Sequence, residues 1–129
     1  MEYKIYLILI YILIFMIGAS FGSFISALVY RREEGISIIS PPSFCDTCGR
    51  KILKKDLVPV FSYIFLRGRA RCCGAKIPKD KVFLEIVAGL IFVFIFKYYN
   101  NLAGLFLIAS LLLSLLISFT DYKFLEIYD

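Results

Sequence analysis

Long apolar runs flank one polar stretch in this chain. Ile5 to Tyr30 carries no charge, and its 26 residues form a helix of about 39 Å, enough to cross a hydrocarbon core of about 30 Å with some tilt. Gly18-Ala19-Ser20 has the small residues of a signal-peptide cleavage site. However, Glu2 accompanies Lys4 at the start, and the apolar run continues past Ser20 until Arg31-Arg32. The pattern therefore predicts an uncleaved transmembrane helix over residues 1–30. Residues 31–81 are polar and loop-like, broken by Pro41-Pro42, Pro59 and Pro78. Val82–Phe96 is apolar apart from Glu85; Lys97 can snorkel and Tyr98-Tyr99 suit the headgroup layer. Asn100-Asn101 make a polar turn, and Leu102–Phe119 gives 18 uncharged residues. The expectation is an all-α polytopic membrane protein. It has three transmembrane helices, with a small cysteine-containing loop domain at 31–81 between helices 1 and 2, and residues 82–129 hold helices 2 and 3. No internal repeat and no low-complexity tract is expected.

Charge orients this layout. Residues 31–81 hold 12 of the 15 lysines and arginines, against five acids. The positive-inside rule puts that segment in the cytoplasm and the N-terminus outside. Counting crossings then places Asp121 at the cytoplasmic end of the third span. The chain is 60% apolar with a mean hydropathy of +0.83, above the usage of soluble domains. Its net charge of +5 therefore reads as topology or contact with anionic membrane lipids, and no nucleic acid is expected as a partner. There is no histidine, which excludes Ser-His-Asp and Cys-His catalysis and every His-ligated metal site.

Four groups of residues remain as candidates for chemistry. Cys45-Asp46-Thr47-Cys48-Gly49 has the spacing of a zinc knuckle. The only other cysteines, Cys72 and Cys73, are adjacent, a strained arrangement for two sulfurs on one tetrahedral ion. Zinc, reduced structural thiols and a disulfide all stay open. Gly18, Gly22 and Ser26, with Ala19, Ser23 and Ala27 beside them, make a small-residue stripe on the first helix. Such a stripe suits close helix packing, or a groove for a substrate helix. Glu85 can reach the interface or pair with Lys81 four residues earlier, the bland alternative to a functional acid in the membrane. Asp121 is either a solvated helix end or one member of an intramembrane aspartyl pair, in which one carboxylate activates water and the other polarises a carbonyl. Asp129 is a poor second member, about 12 Å further along a continuing helix.

The order of these pieces resembles the type IV prepilin peptidases. Gly22-Ser23-Phe24-Ile25-Ser26-Ala27-Leu28-Val29-Tyr30-Arg31 is similar to the family's Gly-Ser-Phe-x-Asn-Val-x-x-Tyr-Arg, with Ser26 in place of Asn. Pro41 to Gly49 resembles the entry to a cytoplasmic cysteine domain, and Asp56 to Tyr63 resembles Asp-x-[Ile/Val]-Pro-x-x-Ser-[Trp/Tyr]. Arg67-Gly68-Arg69, Cys73-Gly74 and Ile77 resemble the second knuckle, and Glu85 falls where the family opens its next helix with Glu. Asp121 with Ile127 and Asp129 resembles Asp-x5-Ile-Pro-Asp, with Tyr128 in place of Pro. The second knuckle departs from Cys-x-x-Cys: Ala70 holds its first position, and Cys72 stands beside Cys73. Gly-x-Gly-Asp, which carries the family's second catalytic Asp, occurs nowhere in these 129 residues.

The resemblance implies an inner-membrane, aspartic-type enzyme of which this chain is the N-terminal half. Asp121 would be catalytic, and Cys45, Cys48, Cys73 and possibly Cys72 would hold zinc. Prepilins or pseudopilins would be cleaved after the leader's Gly at the cytoplasmic face, and the new N-terminus methylated from S-adenosylmethionine. The polypeptide alone is then expected to be inactive as a protease. Two other classes of function compete with this one. In the first, a non-catalytic membrane scaffold recruits secretion partners through its zinc-knuckle loop. In the second, the basic loop is an electrostatic anchor.

Overall fold

A computed structural model describes residues 1–40, 42–99 and 101–128. Pro41, Asn100 and Asp129 lie outside the described residues, so the expectation attached to Asp129 does too. Four α-helices and one 3₁₀ turn run in the order α1 (Glu2–Glu33), 3₁₀ (Lys54–Leu57), α2 (Phe61–Phe65), α3 (Lys79–Tyr98) and α4 (Leu102–Tyr128). Helix α1 extends three residues beyond the expected boundary, with Glu2 in its first turn and Arg31-Arg32 in its last. Both placements favour the helix dipole.

Two helices, α1 and α4, are long and apolar enough to cross a membrane, with mean hydropathies of 2.4 and 2.5 in their most apolar stretches. Little of either is buried, which is the opposite of a soluble core helix. α3 is not of that kind. Lys79, Asp80, Lys81, Glu85 and Lys97 fall within its 20 residues, so the expected third spanning helix is not shown. Instead α3 lies antiparallel along α1, and the pair forms the structural centre of the molecule.

The seam between them is built by the small-residue stripe. Ideal Cβ atoms placed on Gly18 and Gly22 would lie 2.7 Å from the carbonyl oxygens of Ala88 and Leu84. Only hydrogen fits there, and the helix backbones meet as closely as small residues allow. Ala19, Ile25, Val29, Leu84, Ala88, Phe92 and Ile95 are buried along the same line, with Ser26 the one buried polar side chain among the described residues. Phe21 stacks on Phe92, and Tyr11 meets Phe96 edge to face. The stripe is a packing surface.

α4 attaches more lightly. Gly104 sits under the Tyr99 carbonyl, and Lys123 pairs with Asp80 at 3.1 Å. That ion pair brings the end of α4 to the start of α3. The ends of α1 and α4 and the start of α3 are therefore together, and residues 42–77 sit on that end.

Candidate functional site

The loop domain contains an internal repeat, contrary to the expectation of none. Two ten-residue turns, 43–52 and 68–77, are related by a shift of 25 positions. In the first, Cys45 N–H donates to Arg50 O, Gly49 N–H to Cys45 O and Ile52 N–H to Ser43 O; in the second, Ala70 donates to Ala75, Gly74 to Ala70 and Ile77 to Gly68. One isolated antiparallel bridge closes each turn, Phe44 with Lys51 and Arg69 with Lys76. Gly49 and Gly74 occupy equivalent positions at φ +72° and +71°, the left-handed region that glycine enters without penalty. Ala70 is thus the structural equivalent of Cys45, and Cys72 that of Thr47. The sequence held the signal: Cys-Gly-x-Lys-Ile occurs at both 48–52 and 73–77.

The two turns face each other through their sulfurs. The Sγ atoms of Cys45 and Cys73 are 3.8 Å apart, those of Cys48 and Cys72 3.0 Å, and those of Cys72 and Cys73 3.8 Å. All four lie within 4.8 Å of one another. Thiolates around a tetrahedral zinc are separated by about 3.8 Å, so this all-sulfur donor set fits that ion. The adjacency of Cys72 and Cys73 is no obstacle, because Cys72 turns to Cys48 and Cys73 to Cys45. No disulfide joins the four.

Their acidities fit a cation as well. The Cys48 N–H, aided by that of Thr47, outweighs burial and draws the Cys45 thiol down to about 6. Cys72 is pushed up to about 12, first by its hydrogen bond with Cys48 and then by burial. The Cys45 thiolate forms readily while Cys72 and Cys73 resist ionisation, the situation a soft divalent cation relieves.

The same position of each turn carries the ion pair that fixes it. Asp46, second after the bridge, pairs with Lys81 at the start of α3, and Lys81 also covers the Tyr30 ring at 5.2 Å. Its equivalent, Arg71, makes a two-pronged contact with Asp56, with Nε to Oδ2 at 2.9 Å and an Nη2–Oδ1 bond of 3.0 Å. The Arg71 hydrogen bond holds the Asp56 carboxyl below its usual range, against the opposing effect of burial. Arg31 donates to Ser37 O and Ile38 O at 2.9 and 3.2 Å and lies 5.6 Å from the Phe44 ring centre. Arg31 therefore moors the module to α1, and Lys81 joins it to α3.

Glu85 does not take Lys81 as its ion-pair partner. Its Oε2 accepts the Val60 N–H at 2.8 Å, with the Ser23 side chain as a further hydrogen-bonding neighbour. Lys81 is turned to Asp46 instead. Val60 adopts φ +60°, ψ −51°, and Phe61 N–H closes on Pro59 O at 2.6 Å, a γ-turn with a left-handed β-branched centre. Such strain persists only where surrounding contacts impose it. A cavity of about 430 Å³ opens between the helix ends and the module; Ser23, Ser26, Tyr30, Asp56 and Glu85 are among its lining residues. Gly22 belongs to the α1–α3 seam, and Phe24 is 57% exposed on the outer face of α1. Asp121 is exposed on α4 at the module's end of the bundle. It does not line the cavity.

The fold and this site define a helical membrane protein bearing a four-cysteine module at one end. The family model for the bacterial peptidase A24 N-terminal domain matches residues 16–99, and the chain belongs to that prepilin peptidase family as its N-terminal portion. Proteins called prepilin leader peptidase/N-methyltransferase are 36% identical over 86 residues in Klebsiella pneumoniae, 36% over 94 in Vibrio cholerae and 31% over 80 in Bacillus subtilis. These matches cover 62%, 67% and 62% of this chain, but it spans only 38%, 35% and 32% of those relatives. The family match ends before Asp121. No solved structure matches the chain.

Proposed function

We propose that the chain is the N-terminal part of a membrane-embedded aspartyl prepilin peptidase and N-methyltransferase in the bacterial inner membrane. Its N-terminus lies outside and residues 31–81 lie in the cytoplasm. Beyond family membership, the observation that carries this reading is the Lys123–Asp80 ion pair at 3.1 Å. It supports placing Asp121, two residues earlier, at the same end of the bundle as the module.

Asp121 shares a proton with a carboxylate from outside these 129 residues. The ionised member activates water, and the protonated one polarises the scissile carbonyl after the leader's Gly. The Asp121 side chain, exposed near the start of α3, is open to such a partner. Cys45, Cys48, Cys72 and Cys73 hold zinc, which supplies a crosslink between the two turns. The cavity has the size of a small-molecule site, and its lining mixes the acids Asp46, Asp56 and Glu85 with the bases Arg31, Lys51, Arg71, Lys76 and Lys81. S-adenosylmethionine would supply the methyl group for the new N-terminus.

The test is Asp121→Asn in the intact protein, in membranes with a prepilin substrate. Leader cleavage should fall by about a hundredfold or more, the contribution of a positioned acid–base group. Full processing by the variant would refute the assignment.

A further inference from the structure

Leu57-Val58-Pro59-Val60-Phe61-Ser62-Tyr63-Ile64-Phe65-Leu66 is a run of ten uncharged residues inside the polar, basic segment. A run of that length is too short to cross a bilayer and has the length of an interfacial or re-entrant segment. Lys54 and Lys55 precede it, and Arg67 and Arg69 follow. The peptidase reading assigns it no task.

Its depth along the bundle is set by one hydrogen bond, from Val60 N–H to Glu85 Oε2. Charged residues mark the end of α1 at Arg31–Glu33 and the start of α3 at Lys79–Lys81. Glu85 lies four residues inward of Lys81, about 6 Å along the axis, and its neighbour Ser23 lies eight inward of Arg31, about 12 Å. The γ-turn at Val60 is therefore drawn inward of the charged ring, level with the apolar surface of the helices. From there α2 presents Phe61, Ile64 and Phe65 at 42%, 63% and 81% exposure. Phe24 on α1 and Phe83 on α3, next to Ser23 and two residues before Glu85 in the chain, are likewise exposed, at 57% and 68%. Clustered exposure of large apolar side chains marks a contact surface.

The backbone is prepared for that depth. Non-helical chain at the membrane is tolerated where its polar groups are satisfied. The N–H groups of Val60, Phe61, Ser62, Ile64, Leu66 and Arg67 all have acceptors.

We propose that residues 57–66 lie in the membrane interface. Phe61, Ile64 and Phe65 enter the upper acyl chains, while Lys54, Lys55, Arg67 and Arg69 meet anionic headgroups. The basic flanks and the depth set by the Val60–Glu85 bond select lipid over a protein partner. The segment then holds the module against the bilayer at a fixed height.

The chain has no tryptophan, so Phe65→Trp creates a sole indole reporter. The full 129-residue chain carrying it is reconstituted in phosphatidylglycerol–phosphatidylcholine vesicles whose lipids are brominated high or low on the acyl chain. Ile39→Trp, on a loop residue 93% exposed, and Leu113→Trp, in the middle of α4, give the aqueous and deep references. Ile64→Trp repeats the measurement if the first variant does not fold. The expected result at position 65 is blue-shifted emission, quenched more by the shallow bromines than by the deep ones. A water-like spectrum without quenching would overturn the proposal. So would blue-shifted emission insensitive to bromine, which means cover by protein, or stronger quenching by deep bromines, which means full insertion.

Discussion

Gly22→Ala is the smallest perturbation that tests the α1–α3 seam. The added methyl would meet Leu84 O at 2.7 Å, Glu85 Cα at 2.9 Å and Ala88 Cβ at 3.0 Å, where ordinary contact begins near 3.4 Å. The two nearest atoms are backbone, so no rotamer change relieves them, and the helices must part by several tenths of an ångström. Overpacking of this kind costs about 1–3 kcal/mol, a shift of roughly fivefold to 150-fold in the equilibrium between packed and separated helices. The assay is titration of the chain in mixed micelles with dodecyl sulfate, followed by near-ultraviolet dichroism of the tyrosines. Tyr11 reports directly, since its ring meets Phe96 across the seam. The Gly22→Ala midpoint should fall clearly below the parent's. Adding Ala88→Gly should not rescue it, because only the 3.0 Å contact is relieved. Leu13→Ala, on a position 62% exposed, should change stability by less than about 0.5 kcal/mol. An unchanged Gly22→Ala midpoint would refute the close-contact seam.

Two further outcomes follow from the module. Cys72→Thr, which copies its equivalent Thr47, should lose bound zinc, and Ala70→Cys added to it should restore stoichiometric metal by recreating the Cys45 position; metal analysis of the purified variants decides this, and no recovery would count against the repeat. Because Arg71 holds the Asp56 carboxyl below its usual range, that pair's contribution is complete above the unfolded Asp value of about 3.9 and is lost as pH falls through the lower folded value. Asp56→Asn should therefore flatten the acid limb of the stability–pH curve, and an identical limb in both proteins would contradict the assignment.

The long helices were legible because each apolar run is a local property of the chain. So was the stripe of Gly18, Gly22 and Ser26, since spacing alone places those residues on one face. α3 is less legible: its apolar run is interrupted by Glu85 and bounded by Lys79, Asp80 and Lys81, so it is not shown to span, and its packing against α1 is visible only in the structure. The choice of Asp46 by Lys81, the Asp56–Arg71 pair and the Val60–Glu85 bond join residues 15 to 35 positions apart, and no local pattern ranks one distant acid over another. The repeat is a different case. Its signal is Cys-Gly-x-Lys-Ile written twice, but the cysteine at 72 instead of 70 breaks the Cys-x-x-Cys spacing that would mark the two turns as equivalent.

Arg31 and Lys81 grip the module at its two points of entry and exit, one on each helix of the tight pair. A body mounted at both ends cannot swivel, and α1, α3 and the turns between them must travel as one block. α4 is fastened to that block by a close glycine contact and an ion pair, so it is the yielding partner. On the peptidase reading proposed above, the gap between Asp121 and the module follows the angle of α4, and raising the salt concentration, which weakens the Lys123–Asp80 pair, should widen it.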